Sequence, residues 1–353
     1  MLQIDGARYS GSGTIVRQTV MYAALTRQPV QIRNARVRRR QSGLRLQHMA
    51  VVRAIGELVG AEIEGLHVGS QDLTFIPGSV ASERARYMWD IGSAGSTTLL
   101  ALAVLPVLMV RKHGTVVELR GGLFQDFAPS FYHLAHVVVL LLRRMGFQVE
   151  IEMKRPGYVP RGGGLLELKV SPAQLPLRPL VLDDGNELQR VWGIALSSHL
   201  GERRVSERMA QAAQRALEVA GYRAEFEVVN DTTALQRGAA LALFADLVGG
   251  SRLGADRAGA LRRRAETMGS HVAKSLLTDL AAGATLDQHA SDQIIPFVAL
   301  AEGESRFRPA RHSEHIDSAA WLAAEFLGAH VSVKEGLVAI KGAGIPVHLR
   351  ECC

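Results

Sequence analysis

A histidine set where a helix begins can serve as a nucleophile, a proton carrier or a plain hydrogen-bond donor, and the stretch Phe307 to Gly328 offers one. There Arg311, His312, Ser313, Glu314 and His315 run directly into an apolar pattern of Ala319, Leu322, Ala323 and Phe326 at helical spacing. Asp317 and Ser318 are good N-cap types, which predicts a helix starting near them and leaves His315 just ahead of the first turn. Free backbone N–H groups and the positive end of the helix dipole favour a phosphate at such a place. An imidazole beside an anion either attacks phosphorus or merely hydrogen-bonds to it. The plainer alternative is an exposed histidine before a helix.

Two further stretches suit an anion. Residues 5–17, DGARYSGSGTIVR, set glycines between a strand and a helix and put Arg17 one turn inside that helix. No Gly-Lys-Ser/Thr follows, so this is not a P-loop, and a third glycine is missing for a dinucleotide fingerprint. The loop from Arg33 to Arg40 holds five arginines in eight positions, and Gln47 and His48 stand in the helix beyond it. Clustered guanidiniums repel one another unless an anion or acid compensates, so the loop reads as a phosphate or RNA contact, or as a surface charge run. The turns IGSAGSTT (91–98) and PRGGG (160–164) are glycine-rich, the second an ordinary tight turn. The pairs His133/His136 and His312/His315 have metal-like spacing but lack a clustered third ligand. Asp292-Gln293, opening a buried-looking helix, reads alone as a polar cap.

The elements that must position these groups follow from the pattern of apolar residues. Strand, helix, strand, helix, strand, strand is the expected order over residues 2–76, and it returns over 87–170. The second helix of each unit and its exit read alike: AIGELVGAEIEGL, LLLRRMGFQVEIEM and, near the C-terminus, AAEFLGAHVSVKEG. Each is an apolar helix end, a capping glycine and an alternating strand, so three copies of one unit are expected. The third copy is interrupted: its first strand is Pro179–Leu182 and its first helix Ala290–Ala301, and a small α/β unit fits between them. The expected architecture is therefore α/β (α+β), with three β-α-β-α-β-β repeats in one large domain (1–185 and 284–353). A smaller domain (186–283) is inserted in the third repeat, entered through the turn Asp183-Asp184-Gly185.

Composition sets the bounds. At 353 residues, 47% hydrophobic and 21% charged, the chain has ample material for a core. A formal charge of +7 admits an anionic partner, although arginine-rich coding alone can produce it. The two cysteines, Cys352 and Cys353, are adjacent and staple nothing, which suits a reducing, cytoplasmic setting. The longest apolar run, Thr97 to Val110, contains Pro106 and falls short of the ~20 residues of a membrane span, so it reads as a buried helix.

Taken together these residues resemble the RNA 3′-terminal phosphate cyclase family nearly end to end. The likeness is carried by Asp5-Gly6, Gly11, Gly13 and Arg17; by Arg36 and Arg39 ahead of Gly43-Leu44 and Gln47-His48; and by IGSAGS (91–96) and Gly121-Gly122 with Ala128-Pro129. Tyr158 to Gly164, Asp292-Gln293 and Ser313–His315 complete it. The resemblance implies the same three-repeat fold with an insert. It also implies an ATP-dependent conversion of an RNA 3′-phosphate to a 2′,3′-cyclic phosphate, with a divalent metal, magnesium or manganese. His315 falls on the position of the nucleophile that carries AMP. Thr14, Arg17, Arg36 and Arg39 fall on phosphate-binding positions with Gln47 and His48 nearby, and Pro129, Asp292 and Gln293 fall where the family holds adenosine. RNA 3′ ends and ATP are the implied partners, with no membrane. Departures are also visible: the family usually has glutamate where Ser10 stands, glutamine at Thr14 and Thr-Asn where Asp317-Ser318 follow the histidine. They leave a second expectation, an altered or inactive cyclase-like RNA-binding or ribosome-assembly protein.

Overall fold

The computed structural model describes residues 1–78, 84–183 and 186–346. The turn residues Asp184 and Gly185 and the cysteines Cys352 and Cys353 lie outside them. The chain opens with β1 (Leu2–Asp5), α1 (Gly13–Thr26), β2 (Val30–Arg33), α2 (Leu46–Val59), β3 (Glu62–Glu64) and β4 (Leu73–Ile76). β1 pairs parallel to β2, and β4 runs antiparallel to both β2 and β3, giving the order β1-β2-β4-β3. Next come β5 (Arg86–Asp90), α3 (Thr97–Met109) and β6 (Thr115–Gly121). A continuous helical stretch follows: α4 (Phe131–His133), one π-helical turn (Leu134–Val138) and α5 (Val139–Met145). β7 (Gln148–Arg155) and β8 (Gly164–Ser171) complete a second sheet, ordered β5-β6-β8-β7.

The short β9 (Val181–Leu182) precedes β10 (Leu188–Ser198), α6 (Val205–Val219), β11 (Ala224–Asp231), β12 (Gly238–Leu247), β13 (Arg252–Ala258) and α7 (Ala265–Ala281). These four later strands form their own sheet, β11-β10-β12-β13. Leu241, Leu243 and Leu253 of that sheet share an apolar cluster with Met209 and Leu217 of α6 and Val272 and Leu276 of α7. Ile194, Ala242 and Phe244 join the main core instead, so the sheet is buried on both sides. The chain ends with α8 (Gln288–Gln293), α9 (Ile295–Val298), β14 (Glu302–Phe307), α10 (Glu314–Leu327), β15 (His330–Lys334) and β16 (Leu337–Ala343). Its sheet, ordered β15-β16-β14-β9, takes β9 back as the parallel partner of β14. The protein is thus α/β with four mixed sheets.

The helix at the centre is α1. Every residue from Gly13 to Leu25 is buried, because α2, α3 and α10 all pack on it. Tyr22 stacks on Phe326 of α10 with ring centroids 5.5 Å apart, a contact worth about 0.5–1.5 kcal/mol beyond its burial. That packing fixes the first turn of α10 beside the first turn of α1.

Several boundaries differ from the sequence reading. α10 starts three to four residues earlier than Asp317 or Ser318: Ser313 is its N-cap, accepting the Ile316 N–H, and Glu314 and Asp317 both lie in the favourable first turn. His315 is therefore inside that turn, not ahead of it. The expected helix Ala290–Ala301 is two short ones, because Pro296, in the first turn of the second, has no N–H to carry the helical hydrogen-bond ladder back to the Asp292 carbonyl. Asp287 caps the first of them, so Asp292 is an interior residue rather than the cap. The strand β13 has no strict apolar alternation in RLGADRA and was not expected. The apolar run becomes α3, buried as expected with Pro106 inside it. No helix among the described residues is long and apolar enough to cross a membrane.

Candidate active site

The glycines of the first turn serve close approach. A Cβ on Gly13 would lie 2.2 Å from His48 Nε2 and 3.0 Å from Arg17 Nη1, and one on Gly11 would meet the Arg38 side chain at 2.8 Å. His48 and Arg38, from other parts of the first unit, thereby crowd onto the N-terminus of α1 beside its own Arg17. Ser12 caps that helix by accepting the Thr14 N–H at 3.2 Å. The basic loop curls over it: Arg36, at φ +56°, donates to the carbonyls of Gln41 and Gly43. Arg38 donates to Tyr9 O, and Arg39 Nη2 to Ser10 O at 3.3 Å.

α10 brings His315 to this place. Its Nδ1 lies 3.2 Å from Thr14 Oγ1, which also accepts from Arg17 Nη2 at 3.2 Å. Asp292 of α8 approaches the same nitrogen at 3.8 Å, too far for a hydrogen bond. The His315 side chain is 40% exposed, and its Nε2 has no protein partner among the described residues. One ring nitrogen is thus held while the other is left available.

Charge at the site is unbalanced. Arg17 is buried and pushed down to about 10 by desolvation, with Asp292 opposing and Arg36 adding to the shift. Arg36 is lowered by burial and by Arg39 and Arg45. His48 accepts the Arg45 N–H at Nδ1, and burial followed by Arg17, Arg36 and Arg45 holds it well below the ordinary histidine value. It is therefore neutral, with its proton on Nε2 facing Gly13. Two carboxyls stand close: Glu314 pairs with Arg38 at 3.7 Å, and Asp292 is itself pushed up to about 7 by burial. Burial, then Arg17 and Arg39, pushes His315 down to about 4, so its imidazole is neutral at pH 7. Cations drawn together around a neutral imidazole, without a full counter-charge, make a receptor for a polyanion.

The sequence-derived residues thus divide. His315, Thr14, Arg17 and Asp292 meet directly, and Arg36, Arg39 and His48 crowd onto the same helix end. Gln293 joins Arg17 and Gln18 in lining a cavity of about 20 Å³, room for about one water. Gln47 turns the other way, packing against Gly95 and accepting the Ser96 N–H at 3.3 Å. Pro129 sits apart, its carbonyl accepting from Thr98 Oγ1 at 2.7 Å. The histidine pairs are separately engaged: His312 with Asp317 at 2.9 Å, His133 with Asp287 at 2.9 Å, and His136 edge-on to Trp192. Among the described residues no three His, Cys, Asp or Glu side chains come together to hold a metal ion. Two of the departures noted in the sequence touch: Ser10 Oγ lies 2.8 Å from Ser318 Oγ, and the Ser10 N–H donates to that same oxygen.

Sequence reasoning missed Asp287. Buried, it accepts from His133 Nε2 and from the N–H groups of Gly254, His289 and Ala290, joining three segments far apart in the chain. Its one local signal was an aspartate just before Gln288-His289-Ala290, a cap pattern masked by the expectation that the helix began later.

The family model for the RNA 3′-terminal phosphate cyclase matches residues 8–333. A protein named RNA 3′-terminal phosphate cyclase from Methanopyrus kandleri is 37% identical over 343 residues, covering 95% of this chain and 96% of its own. One of that name from Hyperthermus butylicus is 38% identical, covering 89% and 88%. Another, from Archaeoglobus fulgidus, is 35% identical over 97% of this chain and 100% of its own. The match spans both the helix that carries Thr14 and Arg17 and the one that carries His315, and this chain belongs to the RNA 3′-terminal phosphate cyclase family.

Proposed function

We propose that the protein is an ATP-dependent RNA 3′-phosphate cyclase acting through His315. The observation that carries this reading is the contact of His315 Nδ1 with Thr14 inside a cluster of guanidiniums, with Nε2 left free. On this reading the proton sits on Nδ1 and is donated to Thr14 Oγ1, already an acceptor from Arg17, which leaves the lone pair on Nε2. That nitrogen attacks the α-phosphorus of ATP; an N–P bond forms, the α–β P–O bond breaks and pyrophosphate leaves. An oxygen of the RNA 3′-phosphate then attacks the AMP phosphorus and the N–P bond breaks, regenerating the imidazole. Finally the neighbouring 2′-OH attacks the activated 3′-phosphorus, loses its proton and expels AMP, leaving the 2′,3′-cyclic phosphate. Activation is needed because a phosphate monoester oxygen is a poor leaving group, whereas AMP is a good one. Arg17, Arg36 and Arg39 are read as the phosphate clamp and Asp292 with Gln293 as part of the adenosine site. A magnesium or manganese ion fits this donor set only as a passenger on the nucleotide's phosphates. On this reading residues 186–283 are an inserted domain, and the setting is the reducing cytoplasm.

The test is direct. The purified protein, given ATP, a divalent metal and an RNA ending in a 3′-phosphate, should convert that end to a phosphatase-resistant cyclic phosphate with release of AMP. No conversion, together with RNA binding that survives, would instead mark an inactive RNA-binding relative. Thr14 is a positioning residue here, since it touches His315 rather than substrate. Thr14→Val is expected to slow self-adenylylation by about tenfold to a hundredfold, the scale of one oriented hydrogen bond. The KM for ATP should stay within about twofold, and Thr14→Ser should restore the rate. Equal losses in the serine and valine variants would remove this role.

A further inference from the structure

A second concavity, a cleft of about 600 Å³, opens between the Tyr158–Pro160 turn and the unit of β10–β13 with α6 and α7. Six arginines line it, Arg203, Arg208, Arg237, Arg262, Arg263 and Arg264, and none of its lining residues is acidic. Two are neutralised: Arg208 pairs with Glu266 at 2.7 Å and Arg263 with Asp126 at 2.8 Å. Arg203, Arg237, Arg262 and Arg264 are exposed and have no ion pair among the described residues. Four uncompensated charges around one hollow, in a chain with a formal excess of +7, make it a positively charged groove apart from the arginines around His315. Leu261, 94% exposed, and Val159, 56% exposed, put apolar surface among those charges. Guanidinium planes and exposed alkyl groups interleaved along a groove suit the phosphates and unstacked bases of a single strand.

Two packed turns lie between the candidate active site and the cleft. Gln47, next to His48, accepts the Ser96 N–H and packs on Gly95. The backbone of that turn meets the next: a Cβ on Gly162 would lie 2.8 Å from Ser93 O and 2.9 Å from Ala94 Cα. Gln236 then ties the far side, its Nε2 donating to Tyr158 O at 2.9 Å and Val159 O at 3.0 Å.

We infer that this cleft is the track for the RNA strand upstream of the reacting 3′-phosphate, holding backbone phosphates through Arg203, Arg237, Arg262 and Arg264. The inference rests on the cyclase reading for the identity of the strand. An acidic protein would meet the same charge, but only a strand whose 3′ end is at His315 would need to continue past the turns that lie between the two places.

The experiment compares the wild-type protein with the combined variant Arg237→Ala/Arg262→Ala/Arg264→Ala, whose side chains make no ion pair among the described residues. Binding of a fluorescent single-stranded 12-nucleotide RNA bearing a 3′-phosphate is followed by anisotropy across a salt series. The variant should bind at least about tenfold more weakly at moderate salt, and its log–log salt slope should flatten by about 2, near 0.7 for each phosphate no longer held. Self-adenylylation without RNA should be unchanged, and turnover of a 3′-phosphorylated dinucleotide, too short to reach the cleft, should match the wild type. Unchanged 12-mer affinity and slope would overturn the inference, as would an equal loss on the dinucleotide. Because the binding readout needs no turnover, a wild type that binds but does not cyclise defeats the cyclase reading and leaves the cleft's role separately decided.

Discussion

In the His315→Ala protein, incubated with α-labelled ATP and then denatured, no label should stay with the polypeptide. Cyclisation should fall by about four or more orders of magnitude, the scale on which loss of a covalent nucleophile acts. The wild-type label should be acid-labile and alkali-stable, as a phosphoramidate is. The wild-type pH profile carries a second expectation. His315 is pushed down to about 4, first by burial and then by Arg17 and Arg39. The protonated ring is not a nucleophile, so the rate is lost as pH falls through that value. Labelling should stay flat from neutral pH to about pH 5 and halve near pH 4, whereas an ordinary histidine loses half near pH 6.5. Label retained in the alanine variant, or an acid limb centred at the ordinary value, would show that another group attacks or that the guanidiniums do not surround this ring.

The largest effect on stability should come from Asp287→Ala. His133 and Asp287 are buried, and the variant strands one charge while removing the acceptor for three backbone N–H groups. A broken buried pair costs about 3–5 kcal/mol, read as a lower denaturation midpoint. The KM for ATP should rise as well, because Asp287 caps the helix that carries Asp292 and Gln293. Burial opposes ionisation in both partners. For His133 the charge of Asp287 and its hydrogen bond outweigh burial and raise the imidazole; for Asp287, His133 and the backbone N–H groups outweigh it and lower the carboxyl. The raised histidine stabilises the fold fully below the unfolded value of about 6.5 and loses that contribution as pH rises through its folded value. The lowered aspartate stabilises fully above about 3.8 and loses its contribution as pH falls through its folded value. The wild-type advantage over the variant should therefore be greatest between about pH 4 and 6.5 and shrink above that range. A difference that does not change from pH 6 to 9 would mean the pair is not ionised.

The groups that do chemistry were legible in the sequence, each for a local reason. Glycines between a strand and a helix mark a close approach, clustered arginines need an anion, and Ser313-Glu314-His315 before an apolar stripe marks a helix start. The repeated helix–glycine–strand phrase also marked out the α/β class, because apolar periodicity is written along the chain. Capping and pairing were not legible, because they depend on partners distant in sequence. Ser313 prevailed over Asp317 and Ser318 as N-cap, and those two residues turned instead to His312 and to Ser10. Asp287 became the joint of three segments rather than an unremarked polar residue. The packing of α10 on α1 decided which nitrogen of His315 is held and which is free. It also placed Arg17 where burial and charge keep the imidazole neutral, and no spacing along a single strand of sequence specifies either result.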